Sequence, residues 1–140
     1  MNKIPPHAGY SGTPLPKKLG IKDGQRLAFI NAPPNYAGLL GFAYPHETTA
    51  GSEPEAYDFI HFFTRSQADL DGALPGLKRA LRKNGALWVS WPKKASGVPT
   101  DLTENTIRDL ALAAGLVDVK VCAVDETWSG LKLVYRVKDR

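Results

Sequence analysis

The hydrophobic pattern is clearest between Tyr57 and Pro92. Phe59, Ile60, Phe62 and Phe63 form an apolar run interrupted by His61. A run apolar on both faces suits a strand covered on both sides, as in a parallel sheet. Thr64-Arg65-Ser66 leaves that strand, and Ser66 is placed to cap a helix with Asp69 in its first turn, where negative charge complements the helix dipole. Leu70, Leu74, Leu77 and Leu81 then recur at helical spacing. Pro75 predicts a kink or a break, and Lys78, Arg79, Arg82 and Lys83 fill the last turns before an Asn84-Gly85 stop. Gly-Ala-Leu-Trp-Val-Ser-Trp-Pro, ending at Pro92, reads as a second strand. Strand, crossover helix and strand define a parallel α/β unit.

The rest of the chain hangs on that unit. Residues 1–24, rich in proline and glycine, predict an extended arm ahead of one domain at 25–140, with Leu15, Leu19 and Ile21 available to pin it down. Arg26 to Ile30 is a first short strand, and a short helix is expected from Asn35 to Leu40. Residues 43–56 read as loop with room for one very short strand, and His46 and Glu47 within it as polar side chains facing solvent. Asp101 and Glu104 suggest a capping box for a helix with Ile107, Leu110, Ala111 and Ala114 on its buried stripe, ended by Gly115. Val117, Val119 and Val121 alternate with Asp118 and Lys120, and Leu131, Leu133, Tyr135 and Val137 alternate with Lys132 and Arg136. The link between these strands is too short for a crossover, so they should form an antiparallel hairpin. The expected architecture is a single Rossmann-like, three-layer α/β domain. Its mostly parallel sheet has about five strands.

Composition narrows the chemistry. The 140-residue chain carries a net charge of +4 and a pI near 9.2, with the cations scattered, so nucleic-acid binding is not expected. The lone cysteine, Cys122, excludes an internal disulfide and a multi-cysteine metal site. Histidines 7, 46 and 61 show no metal-ligand spacing, so no metal is assigned. No apolar run spans a bilayer and no signal-peptide core is present. The expectation is a cytoplasmic protein without a membrane anchor.

From Tyr57 onward, the order strand, helix, strand, helix and closing antiparallel pair resembles the second half of a class I, S-adenosylmethionine-dependent methyltransferase. Leu81-Arg-Lys-Asn-Gly-Ala-Leu-Trp-Val-Ser90 is similar to that family's helix end and following strand. The first half departs from it. The family's Gly-x-Gly turn is replaced by Ala32-Pro33-Pro34-Asn35, and Thr64-Arg65-Ser66 stands where many members carry an acidic or Asn-Pro-Pro-type motif. No functional residue of the family is therefore carried over, and no cofactor is assigned. Three longer phrases resemble a small bacterial family of unknown function: Tyr10-Ser-Gly-Thr-Pro-Leu-Pro-Lys-Lys-Leu-Gly20, Leu87-Trp-Val-Ser-Trp-Pro-Lys-Lys-Ala-Ser-Gly97, and the stretch from Val119 to Leu133. That resemblance implies a fold and no activity.

In open parallel sheets ligands bind at the carboxyl ends of the strands. Four segments should meet there: Asn31 to Asn35, Thr64 to Gln67, Trp91 to Gly97 and Asp125 to Gly130. They bring Arg65, Ser66, Trp91, Lys93, Lys94, Trp128 and Ser129 to one basic, indole-bearing rim. The expected function is a non-catalytic binding or regulatory module holding an anionic small molecule or an acidic protein partner. Two alternatives stand beside it. One is a small enzyme acting on a phosphorylated or acidic metabolite, with Lys93 as base or Cys122 as nucleophile. The other is an assembly protein, a homodimer pairing through its first strand. Trp91 and Trp128 have a structural reading too, as indoles plugging the sheet edge against each other.

Overall fold

The computed structural model describes residues 12–140. The elements run α1 (Leu15–Leu19), β1 (Leu27–Ile30), α2 (Tyr36–Leu40), β2 (Tyr57–Phe63), α3 (Gln67–Ala80), β3 (Leu81–Pro92), α4 (Glu104–Ala113), β4 (Leu116–Ala123) and β5 (Trp128–Tyr135). The sheet order is β1-β2-β3-β5-β4. β1, β2 and β3 are parallel neighbours. β5 runs antiparallel to both β3 and β4, so four of the five strands point one way.

Two layers of unequal thickness cover the sheet. On one face, Leu70, Leu74 and Leu77 of α3 and Ile107 and Ala111 of α4 pack on Ile60, Leu87, Val89, Trp91, Leu131 and Leu133. On the other, Leu15 and Leu19 of α1 and Tyr36 and Leu40 of α2 pack on Leu27, Phe29, Phe59, Phe63 and Trp88. The predicted arm is thus a helix with buried leucines over Leu15–Leu19 rather than extended chain. Its portion from 1 to 11 lies outside the described residues. Helix formation there follows from burial, since five residues are too few for a helix to stand alone.

Several local expectations are corrected. α3 runs unbroken through Pro75. Pro75 and Asp71 are both exposed, so the carbonyl freed by the missing N–H meets water. α3 stops at Ala80, before Asn84-Gly85, because the chain entering β2 takes its last carbonyls: Glu55 N–H donates to Arg79 O and Ala56 N–H to Ala80 O, each at 2.8 Å. Leu81 through Pro92 is therefore all strand. Pairing with β2 jumps from Tyr57↔Leu81 to Phe59↔Ala86, leaving residues 82–85 as a bulge. At the other α-helical cap, Thr103 rather than Asp101 accepts the first-turn N–H of α4, from Thr106 at 3.1 Å. Asp101 instead accepts the Gln67 N–H at the start of α3, at 2.8 Å.

The outer edge of β1 is not bare. Phe29 N–H donates to Glu47 O at 2.8 Å, and Glu47 N–H to Leu27 O at 2.9 Å, a single parallel bridge. The Arg26 guanidinium fastens the same segment through Glu47 and Glu53 and lies 4.6 Å from the Tyr57 ring centroid. Tyr57 O–H donates to Glu47 Oε1 at 2.6 Å. The Arg26 contacts hold the Glu47 carboxyl down at about 2. Glu47 is a structural clasp, not loop decoration.

Gly85 sits where the bulge meets its neighbour. A Cβ there would lie 2.8 Å from Asp58 O and 2.9 Å from Leu81 Cδ1. Gly85→Ala should lower unfolding free energy by about 1–3 kcal/mol through overpacking, measured by urea titration. An unchanged midpoint would show that the bulge relaxes freely.

Candidate functional site

A cleft of about 700 Å3 opens at the carboxyl ends of β1 and β2 and the amino end of the antiparallel β5. Asn31, Arg65, Ser66, Thr100, Asp101 and Trp128 are among its walls. The sheet builds it directly. β2 delivers Phe63 and Thr64, and the Phe63 ring meets Trp128 edge-on with centroids 5.3 Å apart. Thr64 N–H donates to Ser90 O at 3.0 Å, which ties the exit of β2 to β3. Thr100 Oγ1 donates to Arg65 O at 2.7 Å and holds the 99–101 segment against the start of α3. Asn31 takes a left-handed backbone, φ 59°, and its Nδ2 donates to Phe63 O at 3.4 Å. Asn35 Nδ2 donates to Asp125 Oδ2 at 3.0 Å, joining the first and last of the rim loops.

The structure separates the seven predicted site residues. Arg65, Ser66 and Trp128 line the cleft. Arg65 is exposed, and its guanidinium has no ion pair or hydrogen bond among the described residues. Ser66 is committed to capping α3, accepting from Asp69 N–H at 3.1 Å. Trp91 is buried, 6% exposed, in the α3–α4 core, while Trp128 packs on the opposite face. The two indoles therefore do not plug one edge together. They come from cross-paired strands, Trp91↔Ser129 and Pro92↔Trp128, and side chains one residue apart point to opposite faces. Lys93, Lys94 and Ser129 are not among the lining residues; Lys94 stands exposed on a single 3-10 turn.

Sequence reasoning missed the two carboxylates in the cleft, Asp69 and Asp101. Asp101 lies 34 positions from its hydrogen-bond partner Gln67, a pairing with no local signal. Among the described residues, no cluster of three His, Cys, Asp or Glu side chains could hold a metal.

Behind the cleft runs a buried polar chain. Tyr36 O–H meets His61 Nδ1 at 2.7 Å, and His61 Nε2 meets Ser90 Oγ at 2.7 Å. His61 and Ser90 are fully buried, and the His61 ring stacks on Phe63 at 4.0 Å. Burial pushes the imidazole down to about 3 and the Tyr36 phenol well above its usual range. A neutral imidazole offers one donor and one acceptor, and two hydroxyls satisfy both. The Ser90 hydroxyl is consumed here. Cys122 is half-buried, and burial pushes its thiol up, the opposite of an activated nucleophile.

These layers and this strand order define a class I methyltransferase-like fold. The chain is similar in structure to a SAM dependent methyltransferase from Aquifex aeolicus (TM-score 0.61, 14% identity, covering 84% of this chain and 85% of that one). It is likewise similar to a putative type 11 methyltransferase from Sulfolobus solfataricus (TM-score 0.60, 16% identity, 88% and 90% covered), and to the [4+2]-cyclase SpnF (TM-score 0.60, 12% identity, 88% and 79% covered). A cyclase beside methyltransferases shows that this fold does not set the reaction. Residues 47–137 match the family described as protein of unknown function DUF3052, and the chain belongs to that family. No curated protein sequence matches it.

The His61 environment has a pH signature. Unfolded histidine titrates near 6.5, whereas folded His61 titrates near 3. Above about 6.5 both states are neutral and stability is unaffected. As pH falls below that, only the unfolded state takes the proton, so stability drops by about 1.4 kcal/mol per pH unit. Between pH 6.5 and 4.5 the His61 share should reach about 2–3 kcal/mol. His61→Gln should flatten that loss in urea titrations; an equal loss in both proteins would place the acid sensitivity elsewhere.

Proposed function

We propose that this chain is a non-catalytic binding module whose carboxyl-edge cleft holds a ligand bearing a single anionic group beside an apolar or aromatic body. The carrying observation is Arg65, a cation without a partner among the described residues at the mouth of a cleft walled by Phe63, Pro99 and Trp128. Arginine presents a planar fork of donors suited to carboxylate or phosphate, and indole offers area for the ligand's body. Asp69 and Asp101 share the cleft and would repel a multiply charged polyphosphate. Two first-turn amides of α3 are already taken, Gln67 N–H by Asp101 and Asp69 N–H by Ser66, which weakens the helix N-terminus as an extra anion site.

S-adenosylmethionine, which several fold neighbours take, does not fit the residues present. The turn after β1 lacks two N–H groups at Pro33 and Pro34, and its Tyr36 N–H already donates to Pro33 O at 3.0 Å. The carboxylate beside β1, Glu47, is turned to Arg26 and Tyr57. No step through that cofactor is derived. The enzyme alternative gains no support from Cys122, nor from Lys93, which stands outside the cleft lining. Pairing of two chains through β1 would compete with Glu47 for the backbone of Leu27 and Phe29. Among the described residues no helix is long and apolar enough to cross a membrane.

A thermal-shift screen of carboxylates and of acyl, aryl and sugar phosphates, each bearing one anionic group, with S-adenosylmethionine included, tests this reading. A ligand at 100 times its Kd stabilises by about 2.7 kcal/mol. Arg65→Ala should abolish the shift and Trp128→Leu should weaken it, while Lys93→Ala and Lys94→Ala leave it unchanged. A shift with S-adenosylmethionine, or one that survives Arg65→Ala, would overturn the assignment.

A further inference from the structure

On the far side of Asn31 lies a second cavity, about 460 Å3, between the turn after β1, α2 and the 42–48 segment. Its size falls within the range of small-molecule sites. It differs in kind from the Arg65 cleft, because no Lys, Arg, Asp or Glu is among its lining residues. Aromatic rings dominate instead. His46 stacks on Phe29 with centroids 4.4 Å apart and planes 28° from parallel. Phe42 meets Tyr44 edge-on at 5.1 Å and is 63% exposed, so much of its ring is open to contact.

The cavity is built rather than incidental. Its outer wall, 42–48, is irregular chain, yet Glu47 is bound to β1 on both its backbone N–H and C=O and clasped by Arg26 and Tyr57. His46 is oriented as well. Its Nδ1 lies 2.7 Å from Tyr44 O, and a carbonyl can only accept, so Nδ1 carries the hydrogen. In the neutral ring Nε2 is then an acceptor, and it has no partner among the described residues.

We propose that this cavity is a second binding site, for an uncharged planar ring carrying one N–H or O–H donor, an indole- or phenol-type group. With no Lys, Arg, Asp or Glu in the lining to pair with it, a charged occupant would lose hydration without compensation. The rings supply stacking and edge-on contacts. His46 Nε2 accepts the ring's donor. The site goes beyond the Arg65 cleft and stands independently of it.

The test compares indole with benzofuran, which has the same shape and no N–H. Both are titrated into the whole protein and followed by backbone amide NMR. Expected are shifts confined to residues 29–48, with indole bound about fivefold or more tightly, the increment of one hydrogen bond. In His46→Phe the stacking ring remains and the two ligands should bind equally. Because both are measured on one variant, any loosening of the wall cancels. Phe42→Ala should weaken both several-fold, and Arg65→Ala should affect neither. The proposal is overturned if neither ring binds, if wild type binds both equally, if His46→Phe keeps the preference, or if the shifts centre on Arg65 and Thr100.

Discussion

The neutral imidazole of His61 is the constraint on which the thinner half of this molecule depends. It lies at the middle of β2, fully buried, between a phenol on α2 and a hydroxyl on β3. α1 and α2 have five residues each, too few to be stable without tertiary contacts. The hydrogen bond to His61 fixes Tyr36, and hence α2, at one place over the sheet. α1 is fixed similarly: Trp88 Nε1 donates to Leu19 O at 2.9 Å, and Lys18 Nζ reaches Ala123 O at 3.0 Å. Directional bonds thus stand in for the area that longer helices would bury. Each is made by a buried or half-buried group, where an unmet partner is costly.

That economy follows from the short path between β1 and β2. Residues 31–56 must leave the sheet, cover one face and return, with α2 as their sole helix. Glu47 adds one bridge to β1 and no further strand. The edge is then closed by side chains, Arg26, Glu47, Glu53 and Tyr57, in place of a ladder. The opposite edge is treated differently. β4 is bulged between Asp118 and Lys120 and exposes Val119 and Val121. A bulge and a lysine on an outer strand both discourage pairing with another sheet.

What could be read from sequence follows the range of the interaction. The β2–α3–β3 unit was legible because each part has its own period, and the Ser66 cap because its partner lies three residues on. The end of α3 was not: the Asn84-Gly85 signal was outcompeted by Glu55 and Ala56, which reach the helix carbonyls from a distant strand end. Asp101 carried a sound local cap signal and was recruited to another helix. Of the seven residues read from sequence as one rim, Arg65, Ser66 and Trp128 line a common cleft. Trp91 faces the other side of the sheet because its side depends on strand register, which the β3 bulge and the β3–β5 pairing set together, and the lysines follow the strand into a 3-10 turn outside the cleft lining. His46 and Phe42 gave no signal, since a loop shows no period from which burial could be inferred.

Asn31 explains why two clefts exist where the fold would otherwise offer one. It lines both, and its left-handed backbone turns the chain sharply as it leaves β1. Its side chain is drawn across to Phe63 O, on the neighbouring strand. The residue therefore forms a partition, with charged groups on the β2 side and none on the other. Pro33 and Pro34 stiffen the chain beyond it, so the partition is held from both ends. The two cavities are thus separated by polarity: Arg65, Asp69 and Asp101 line one, and no Lys, Arg, Asp or Glu lines the other.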